Sequence, residues 1–274
     1  MPYQPPALYV AWRNSDTRRI YPVGRLLRLV EPAGYEFAYI EGALVASQNG
    51  FQPFLAFPDL HKLYRSHELL PFFKNRILSR SRPEYAGYVA ALDLALDAAE
   101  TEPMTLLAVS GGRRATDLVE LFPDWSPDAS PASSPSRGIS AKFLLRGVQY
   151  IAGAEERIQT LRAGDRLRPV PDVKNAVNPR AVKLHTDDDV WIGFVPDYLA
   201  SRVRQLLDGN VALEVRVQRV NPPPVPSHER VLCILSAQSS VDPVAFRDGD
   251  FRPLAADATH IDDRAGVVTP IAAG

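Results

Sequence analysis

The chain has 274 residues, of which 46% are hydrophobic and 23% are charged, and its formal net charge is −1. These values are typical of a folded globular protein and exclude a wholly disordered chain or a strongly basic nucleic-acid binder. The sequence shows no signal peptide and no run of about 20 apolar residues, and its single cysteine, Cys233, cannot form an intrachain disulfide. We therefore expect a cytoplasmic protein without a membrane partner.

The first part of the chain, residues 1–125, combines strand and helix patterns. Alternating apolar residues with many aromatics predict an antiparallel meander over residues 7–12, 19–26 and 35–39. The predicted helices are two short turns within 66–78 with Ser66 as the cap, a longer helix over 83–99, and short helices at 103–109 and 115–121. The pattern predicts an α+β domain made of an antiparallel sheet plus helices.

Two segments are poor in the apolar residues that a core requires. Residues 126–139 are rich in serine and proline, which predicts a linker. Residues 237–274 carry six acidic residues against three basic ones, which predicts an acidic, disordered tail. The two segments delimit a second domain at residues 140–236.

The second domain has mostly strand patterns. They cover residues 143–145, 148–151, 181–184, 190–195, 212–220 and 230–236. The amphipathic stretch 197–207 predicts a helix with Asp197 as its cap. Strands around one helix predict a small, mostly-β barrel.

Four motifs in this second domain carry a resemblance to a known family. They read RGVQY at 146–150, LRAGDRL at 161–167, NAVNPRAV at 175–182 and IGFVP at 192–196. In order and spacing they resemble the HIRAN domain. The resemblance implies a compact β-barrel that binds single-stranded DNA, in the best-known member at a free 3′ end.

The third motif departs from the family pattern, which usually reads Asn-Pro-x-Asp-x-Asn-Ala-Val. Asn178 stands at the family's Asp, and Arg180 stands at its second Asn. In the end-binding member the position of Val177 is aromatic and that of Gln149 is Arg, whereas Tyr150 is retained. These departures weigh against a 3′-hydroxyl pocket more than against binding of the DNA backbone.

A surface that binds DNA needs cations for phosphates and flat side chains for bases. The polar loop 171–180 and its surroundings provide both. The candidate nucleic-acid-binding residues are Tyr150, Lys174, Asn175, Asn178, Arg180 and Lys183. The alternative is that Tyr150 belongs to the core and the charges are an ordinary solvated surface. Phe194 is interpreted as a core residue.

A second basic patch lies in the first domain, with Tyr64, Phe72 and Phe73 interleaved. Its members are Lys62, Arg65, Lys74, Arg76, Arg80 and Arg82. The patch would extend a nucleic-acid path or dock an acidic protein. The alternative is a solvated face around apolar helical turns.

The first domain also resembles the N-terminal subdomain of HipA-type toxin kinases. The resemblance is carried by PVGRL at 22–26, FAY at 37–39, LPFFKNRI at 70–77, LLA at 106–108 and LFP at 121–123. In that family the subdomain packs on the kinase core and contacts partners without catalytic residues of its own. It implies a second hypothesis, in which the chain is an antitoxin-like regulatory subunit of a separate HipA-type kinase.

Other polar clusters have plainer explanations than chemistry. The sequence SGGRR at 110–114 precedes a predicted helix, which permits phosphate binding, but a simple turn fits it better. The three aspartates 187–189 are typical of a hairpin tip, and Cys233 lies in an apolar strand. We find no catalytic motif, metal site or cofactor site. We predict a non-enzymatic DNA-binding protein in repair or defence against mobile elements, and disfavour an unrecognised hydrolase.

Overall fold

The computed structural model describes residues 5–97, 102–124, 126–127, 137–239, 249–261 and 268–269. The chain divides into two compact units whose segments alternate along the sequence. One unit comprises residues 1–85, 97–124 and 244–274, and the other comprises residues 86–96 and 125–243. None of the described helices is long and apolar enough to cross a lipid bilayer.

The first unit contains the antiparallel sheet that the alternating pattern predicts. Its strands are β1 (Ala7–Arg13), β2 (Ile20–Leu29), β3 (Gly34–Tyr39), β4 (Tyr64–Ser66) and β5 (Val119–Pro123), in the spatial order β4-β3-β2-β1-β5. Because β1 lies between β2 and β5 and is buried over its first five residues, its sequence is a continuous apolar run rather than an alternating one.

Short helices pack beside this sheet. They are α1 (Gly42–Ser47), α2 (Pro71–Lys74) and α4 (Pro103–Ser110), with α3 (Tyr85–Ala91) between the last two in sequence. Two sequence predictions are wrong here. Ser66 lies in β4 and caps nothing, since α2 begins at Pro71, whose fixed φ suits a first turn. The predicted helix at 115–121 is instead the approach to β5, whose Val119 pairs with Trp12 of β1.

A C-terminal segment completes the first unit, where the sequence predicts a disordered tail. Within residues 249–261, the Leu254 amide donates to the Tyr39 carbonyl over 2.9 Å. The amide and hydroxyl of Thr259 donate to the buried carboxylate of Glu36 over 3.0 and 2.7 Å. The prediction is therefore wrong for this segment, because polar contacts to a buried carboxylate fix a sequence that is poor in apolar residues. Residues 240–248 and 262–267 lie outside the described residues.

The second unit is a curled antiparallel sheet of seven strands. The strands are β6 (Ser126–Pro127), β7 (Arg137–Leu144), β8 (Arg166–Pro171), β9 (Val182–His185), β10 (Trp191–Phe194), β11 (Leu213–Val220) and β12 (Val231–Ser239), in the spatial order β10-β9-β8-β11-β12-β7-β6. Arg146, just after β7, forms an antiparallel bridge with Phe194 at the end of β10. The sheet thus curls into a half-barrel in which β10, at one end, meets the residue that follows β7, the strand next to the other end. This agrees with the predicted small β-barrel.

The helices of the second unit differ from the prediction of a single one. The predicted helix is present as α6 (Asp197–Asp208), and α5 (Ala154–Ile158) is an additional short helix. The residue before α6 is Pro196, so Asp197 is not the cap. The predicted strand over 148–151 is wrong, since Val148–Tyr150 form a single 3-10 turn. Of the predicted helix over 83–99, the described part is helical only as far as Ala91.

The unit boundaries also differ from the predicted ones. Residues 86–96 belong to the second unit, where the Asn221 side-chain amide donates to the Ala91 carbonyl over 2.9 Å. The Gln218 amide likewise donates to the Asp93 carboxylate over 2.7 Å. Most of the predicted linker, residues 128–136, lies outside the described residues, whereas Ser126–Pro127 pair with β7. Contacts distant in sequence set these boundaries, and composition does not reveal them.

Candidate nucleic-acid interface

Tyr150 projects from the second unit next to the bridge that joins its sheet ends. Arg146 and Phe194 exchange backbone hydrogen bonds of 3.0 and 2.8 Å, and Gly147 then turns the chain with a φ of 78°. A Cβ at Gly147 would lie 3.0 Å from Phe194, so this turn favours glycine in both conformation and space. The Tyr150 side chain that follows is 74% exposed. The structure therefore excludes the alternative that Tyr150 belongs to the core.

The loop 172–181 joins β8 to β9, and its two asparagines hold the loop itself. The side-chain Oδ1 atom of Asn175 accepts from the backbone amides of Val177 and Asn178 over 3.1 and 3.0 Å. The Asn178 side chain accepts from the Arg180 amide over 2.9 Å and donates to Asp197 over 3.0 Å. Both side chains are engaged in positioning the loop. Their direct contact with nucleic acid stays a prediction, and the structure adds a positioning role for both.

Two cations on this loop remain open to solvent. Lys174 and Arg180 are both exposed, and neither forms an ion pair within the part of the chain that the structure describes. The hydrogen bonds that fix the loop backbone leave these two charged groups available. Of the four predicted loop residues, the two cations are the most exposed and carry the charge that a phosphate attracts.

Lys183 is more constrained than the sequence indicates. Its ammonium group lies 3.3 Å from the Asp172 carboxylate, and it stands 4.6 Å from the centre of the Trp191 ring. The Trp191 ring in turn meets Phe194 edge-on, with 5.2 Å between ring centres. Phe194 is only half-buried, so the prediction that it is a core residue is wrong. Sequence reasoning also missed Trp191, because its contact with Lys183 depends on the pairing of β9 with β10.

Strand register brings these groups to one end of the half-barrel. Lys183 is opposite Phe194 across β9 and β10, and Phe194 is opposite Arg146. Two strand spacings, about 10 Å at the backbone, therefore separate the start of β9 from the turn that carries Tyr150. We call this end the rim, and it consists of Tyr150, Lys174, Arg180, Lys183, Trp191 and Phe194.

The charge of the rim is modestly positive. It carries three cations, Lys174, Arg180 and Lys183. Two carboxylates lie in the same region: Asp172 pairs with Lys183, and Asp197 accepts a hydrogen bond from Asn178. Arg146 adds a further positive charge at the bridge, where its side chain donates to the His228 carbonyl. The rim thus offers cations beside an exposed ring, which suits a polyanion with flat bases.

The three aspartates at 187–189 lie at the opposite end of the β9–β10 hairpin. Asp188 lies 2.5 Å from the Arg157 guanidinium, whose hydrogen bond lowers the pKa of Asp188 to about 2. Asp189 pairs with Arg168 and with the Nδ1 atom of His185. Within the described ranges, no three His, Cys, Asp or Glu side chains are grouped so that they could hold a metal ion.

The predicted second basic patch does not form one free surface. The Arg76 side chain is 1% exposed, lies 2.6 Å from Asp117 and donates to the Gly112 carbonyl. Arg65 lies 3.0 Å from Glu36, and Lys74 lies 3.3 Å from Glu68. Lys62 stands over the Tyr64 ring, and only Arg80 and Arg82 add exposed charge beyond these. For Arg76 and Arg65 the structure favours ion pairing within the first unit over contact with a ligand.

The glycine loop at 110–114 and Cys233 also have structural roles. The loop ends α4, with Gly111 as a left-handed C-cap, and leads into β5. It follows a helix instead of preceding one, so the amides of a helix N-terminus are not available to a phosphate there. Cys233 is fully buried in β12, and burial raises the pKa of its thiol. The thiol is therefore inert at neutral pH.

Residues of the second unit match a known protein family. The sequence model of the HIRAN domain matches residues 140–239. The chain therefore carries a HIRAN domain, and that domain contains the whole rim. The match does not cover residues 1–125, so their similarity to HipA-type kinases stays a prediction.

Two solved structures show a partial similarity. A protein from Lactobacillus plantarum is 15% identical, with 38% of this chain and 98% of that chain covered and a TM-score of 0.33. The HIRAN domain of human HLTF is also 15% identical, with 36% of this chain and 74% of that chain covered and a TM-score of 0.28. No curated protein matches the chain significantly. Since both TM-scores are low, the assignment of the domain depends on the family match.

Proposed function

We propose that the HIRAN domain binds DNA through its rim, and that the preferred DNA is single-stranded or carries a free end. The observation that carries the proposal is an exposed ring, Tyr150, on the same rim as Lys174 and Arg180, which form no ion pair with any described residue. All three lie within the residues that match the HIRAN family.

Single-stranded DNA fits the rim because unpaired bases can stack. A base on an aromatic ring contributes about 1–3 kcal/mol, and Tyr150 offers such a ring. Lys174 and Arg180 neutralise phosphates, which makes binding depend on salt. In a duplex the bases are already stacked on one another, so Tyr150 contributes least there. The rim is therefore expected to prefer a single strand or a frayed end.

Recognition of the terminal hydroxyl has less support than binding of the strand. Asn178 stands where the family carries a carboxylate, and its side chain is held between Asp197 and the Arg180 amide. Val177 is aliphatic and 37% exposed, so it provides no ring for a second base. We infer that strand binding at the rim matters more than capture of the 3′-hydroxyl.

The proposed activity is binding without catalysis. The rim acids Asp172 and Asp197 are engaged with Lys183 and Asn178, so neither is positioned as a free acid or base. A role in repair or in defence against mobile elements would follow from recruitment to such DNA. The chain would then mark single-stranded or end-bearing DNA for a separate enzyme.

A fluorescence-anisotropy titration tests the proposal. The probes are a labelled single strand, the same strand as a blunt duplex, and the same strand with a 3′-phosphate. We expect micromolar or tighter binding of the single strand at about 50 mM salt, weakening as salt rises, and weaker binding of the duplex. Equal affinity for the free and the 3′-phosphorylated strand would assign the affinity to the strand, and a loss with the phosphate would assign it to the end. Absence of binding at low salt would overturn the proposal.

A further inference from the structure

A row of cations crosses the outward face of the same sheet. Arg166 of β8 lies opposite Arg216 of β11. Across the next two strands the row continues with Ile234 of β12 and then Lys142 of β7. Residues directly opposite each other across strands share one face. Their neighbours Leu167, Val215, Leu235 and Ala141 form the next row and are buried, so the row with the cations faces outward.

This row continues toward the rim through β8 and β9. On these strands Val170 is opposite Lys183. Arg168 is two residues from Val170, so it lies on the same face of β8, and it is opposite His185. Lys183 is flanked by the buried Val182 and Leu184, so it lies on the same outward face as Arg168. We call the four residues Lys142, Arg166, Arg168 and Arg216 the outer stripe. The stripe spans about 14 Å across three strand spacings and comes within about 8 Å of Lys183 at the backbone.

The stripe keeps a positive excess after its ion pairs are counted. Arg168 is balanced by Asp189. Arg166 and Arg216 share the single carboxylate of Glu214, at 2.6 and 2.8 Å. Both guanidinium side chains remain open to solvent, with exposures of 64% and 43%. Because one carboxylate balances only one of the two cations, this group keeps a net positive charge. Both arginines lower the pKa of Glu214.

Hydroxyl groups accompany these cations. The next outward row contains Ser236 opposite Glu214 and Ser140 opposite Ser236. Lys142, on the row beside it, forms no ion pair within the residues that the structure describes. Cations and hydroxyls are the side chains that contact phosphate and sugar in protein–DNA interfaces. Among the described residues of these two rows no side chain is aromatic, so the rows suit the backbone of a strand rather than its bases.

We propose that the outer stripe is a second phosphate-binding surface, which holds the backbone of a DNA strand after it leaves the rim. This inference rests on the proposed DNA binding at the rim and extends it. The rim stacks a base and sets the position of the strand, and the stripe adds affinity for longer DNA without reading its sequence. Affinity therefore increases with length beyond what the rim alone can hold.

The test uses the full chain and thymidine single strands of about six and about 20 nucleotides. The variant is Lys142→Gln/Arg166→Gln, which leaves Arg216 to balance Glu214. The control is Arg18→Gln/Arg19→Gln on the exposed turn between β1 and β2, which changes the net charge equally. Thermal unfolding of each variant verifies that the fold is retained.

The wild-type protein is expected to bind the longer strand more tightly than the shorter one. The stripe variant should bind the longer strand roughly tenfold more weakly at about 0.1 M salt, with a salt slope smaller by about 1.4, because single strands contribute about 0.7 for each neutralised phosphate. Its affinity for the shorter strand, and both affinities of the control, should not change. The stripe proposal alone would be overturned if the wild type bound both strand lengths with equal affinity. It would also be overturned if the stripe variant bound the longer strand as tightly as the wild type does. Absence of binding to either strand by the wild type would overturn the rim as well.

Discussion

Arg146 and Phe194 close the half-barrel through two backbone hydrogen bonds of 3.0 and 2.8 Å. They are 48 positions apart in the sequence, and their bridge sets the turn that carries Tyr150 beside the end of the β9–β10 hairpin. The loop with Lys174 and Arg180 leads into the same hairpin. The candidate site therefore depends on this closure.

Gly147→Ala should disturb the rim more than a matched change nearby. Gly147 and Gly153 have φ values of 78° and 77°, so alanine costs about 1–2 kcal/mol of stability at either position. A Cβ at Gly147 would also lie 3.0 Å from Phe194, whereas nothing lies within 4 Å at Gly153. Urea unfolding should show the larger loss for Gly147→Ala, and only that variant should bind single-stranded DNA more weakly. If Gly147→Ala and Gly153→Ala had equal effects on stability and on DNA binding, the bridge would not be what positions the rim.

Tyr150→Ala should reduce DNA binding without reducing stability. The ring is 74% exposed, so its removal costs little in folding, whereas the loss of one stacked base is worth about 1–3 kcal/mol of binding, roughly 5- to 150-fold. Anisotropy with a single strand measures the first effect and thermal unfolding the second. Tyr150→Phe is the control, and it should bind nearly as well as the wild type. A Tyr150→Ala protein with undiminished affinity would remove the ring from the site.

Two lysines of the rim region should respond differently to the change to glutamine. Lys174 is exposed, so Lys174→Gln should leave stability unchanged and lower the salt slope of single-strand binding by about 0.7. Lys183 balances Asp172, whose side chain is only 15% exposed, so Lys183→Gln should destabilise the domain. Chemical unfolding and salt titrations distinguish the two. The reverse pattern would mean that Lys183 is the free phosphate ligand.

The ion pair of Asp188 should be visible in its titration. The Arg157 hydrogen bond lowers the pKa of Asp188 to about 2, from an ordinary value of about 3.9. Because the folded-state value is the lower one, the pair stabilises the fold above pH 4 and that contribution is lost as the pH falls toward 2. NMR titration of the Asp188 carboxyl should give a midpoint near 2, and Arg157→Gln should return it toward 3.9. An unchanged midpoint in that variant would contradict the assigned cause.

Glu36→Gln should loosen the C-terminal segment from the first unit. The Glu36 side chain is 1% exposed, pairs with Arg65 and accepts two hydrogen bonds from Thr259. Loss of this buried charge should cost about 3–5 kcal/mol, as for other broken buried pairs, and expose residues 249–261 to proteases. Glu68→Gln removes an exposed pair and serves as the control with little effect. Resistance to proteolysis equal to that of the wild type would contradict the anchoring role.

The sequence predicted the elements whose causes are local. The hairpin of β9 and β10 follows from alternation on either side of a polar turn, and α6 follows from its amphipathic period. Residues 148–151 were harder, because the apolar pattern favours a strand while the left-handed Gly147 redirects the chain into a 3-10 turn. The resemblance of the motifs to HIRAN domains was confirmed over residues 140–239.

The roles of the charged residues could not be predicted from the sequence. Arg76 pairs with Asp117, which is 41 positions away, so a count of cations cannot show that it is buried. Asn178 binds Asp197 across the start of α6, which gives an expected ligand a role in supporting the loop as well. Trp191 was missed because its relation to Lys183 depends on strand register. Local pattern thus identified the region of the site, and long-range pairing decided which side chains are free.

Photocrosslinking followed by mass spectrometry identifies the residues that contact a bound strand. A single strand containing 5-bromodeoxyuridine would be irradiated with the 274-residue chain, and the modified residues would be mapped. DNA binding at the rim predicts crosslinks at Tyr150 and within residues 172–183, and their loss in a Tyr150→Ala/Arg180→Gln variant that still folds. Crosslinks confined to residues 61–82, or crosslinks that persist in that variant, would contradict it.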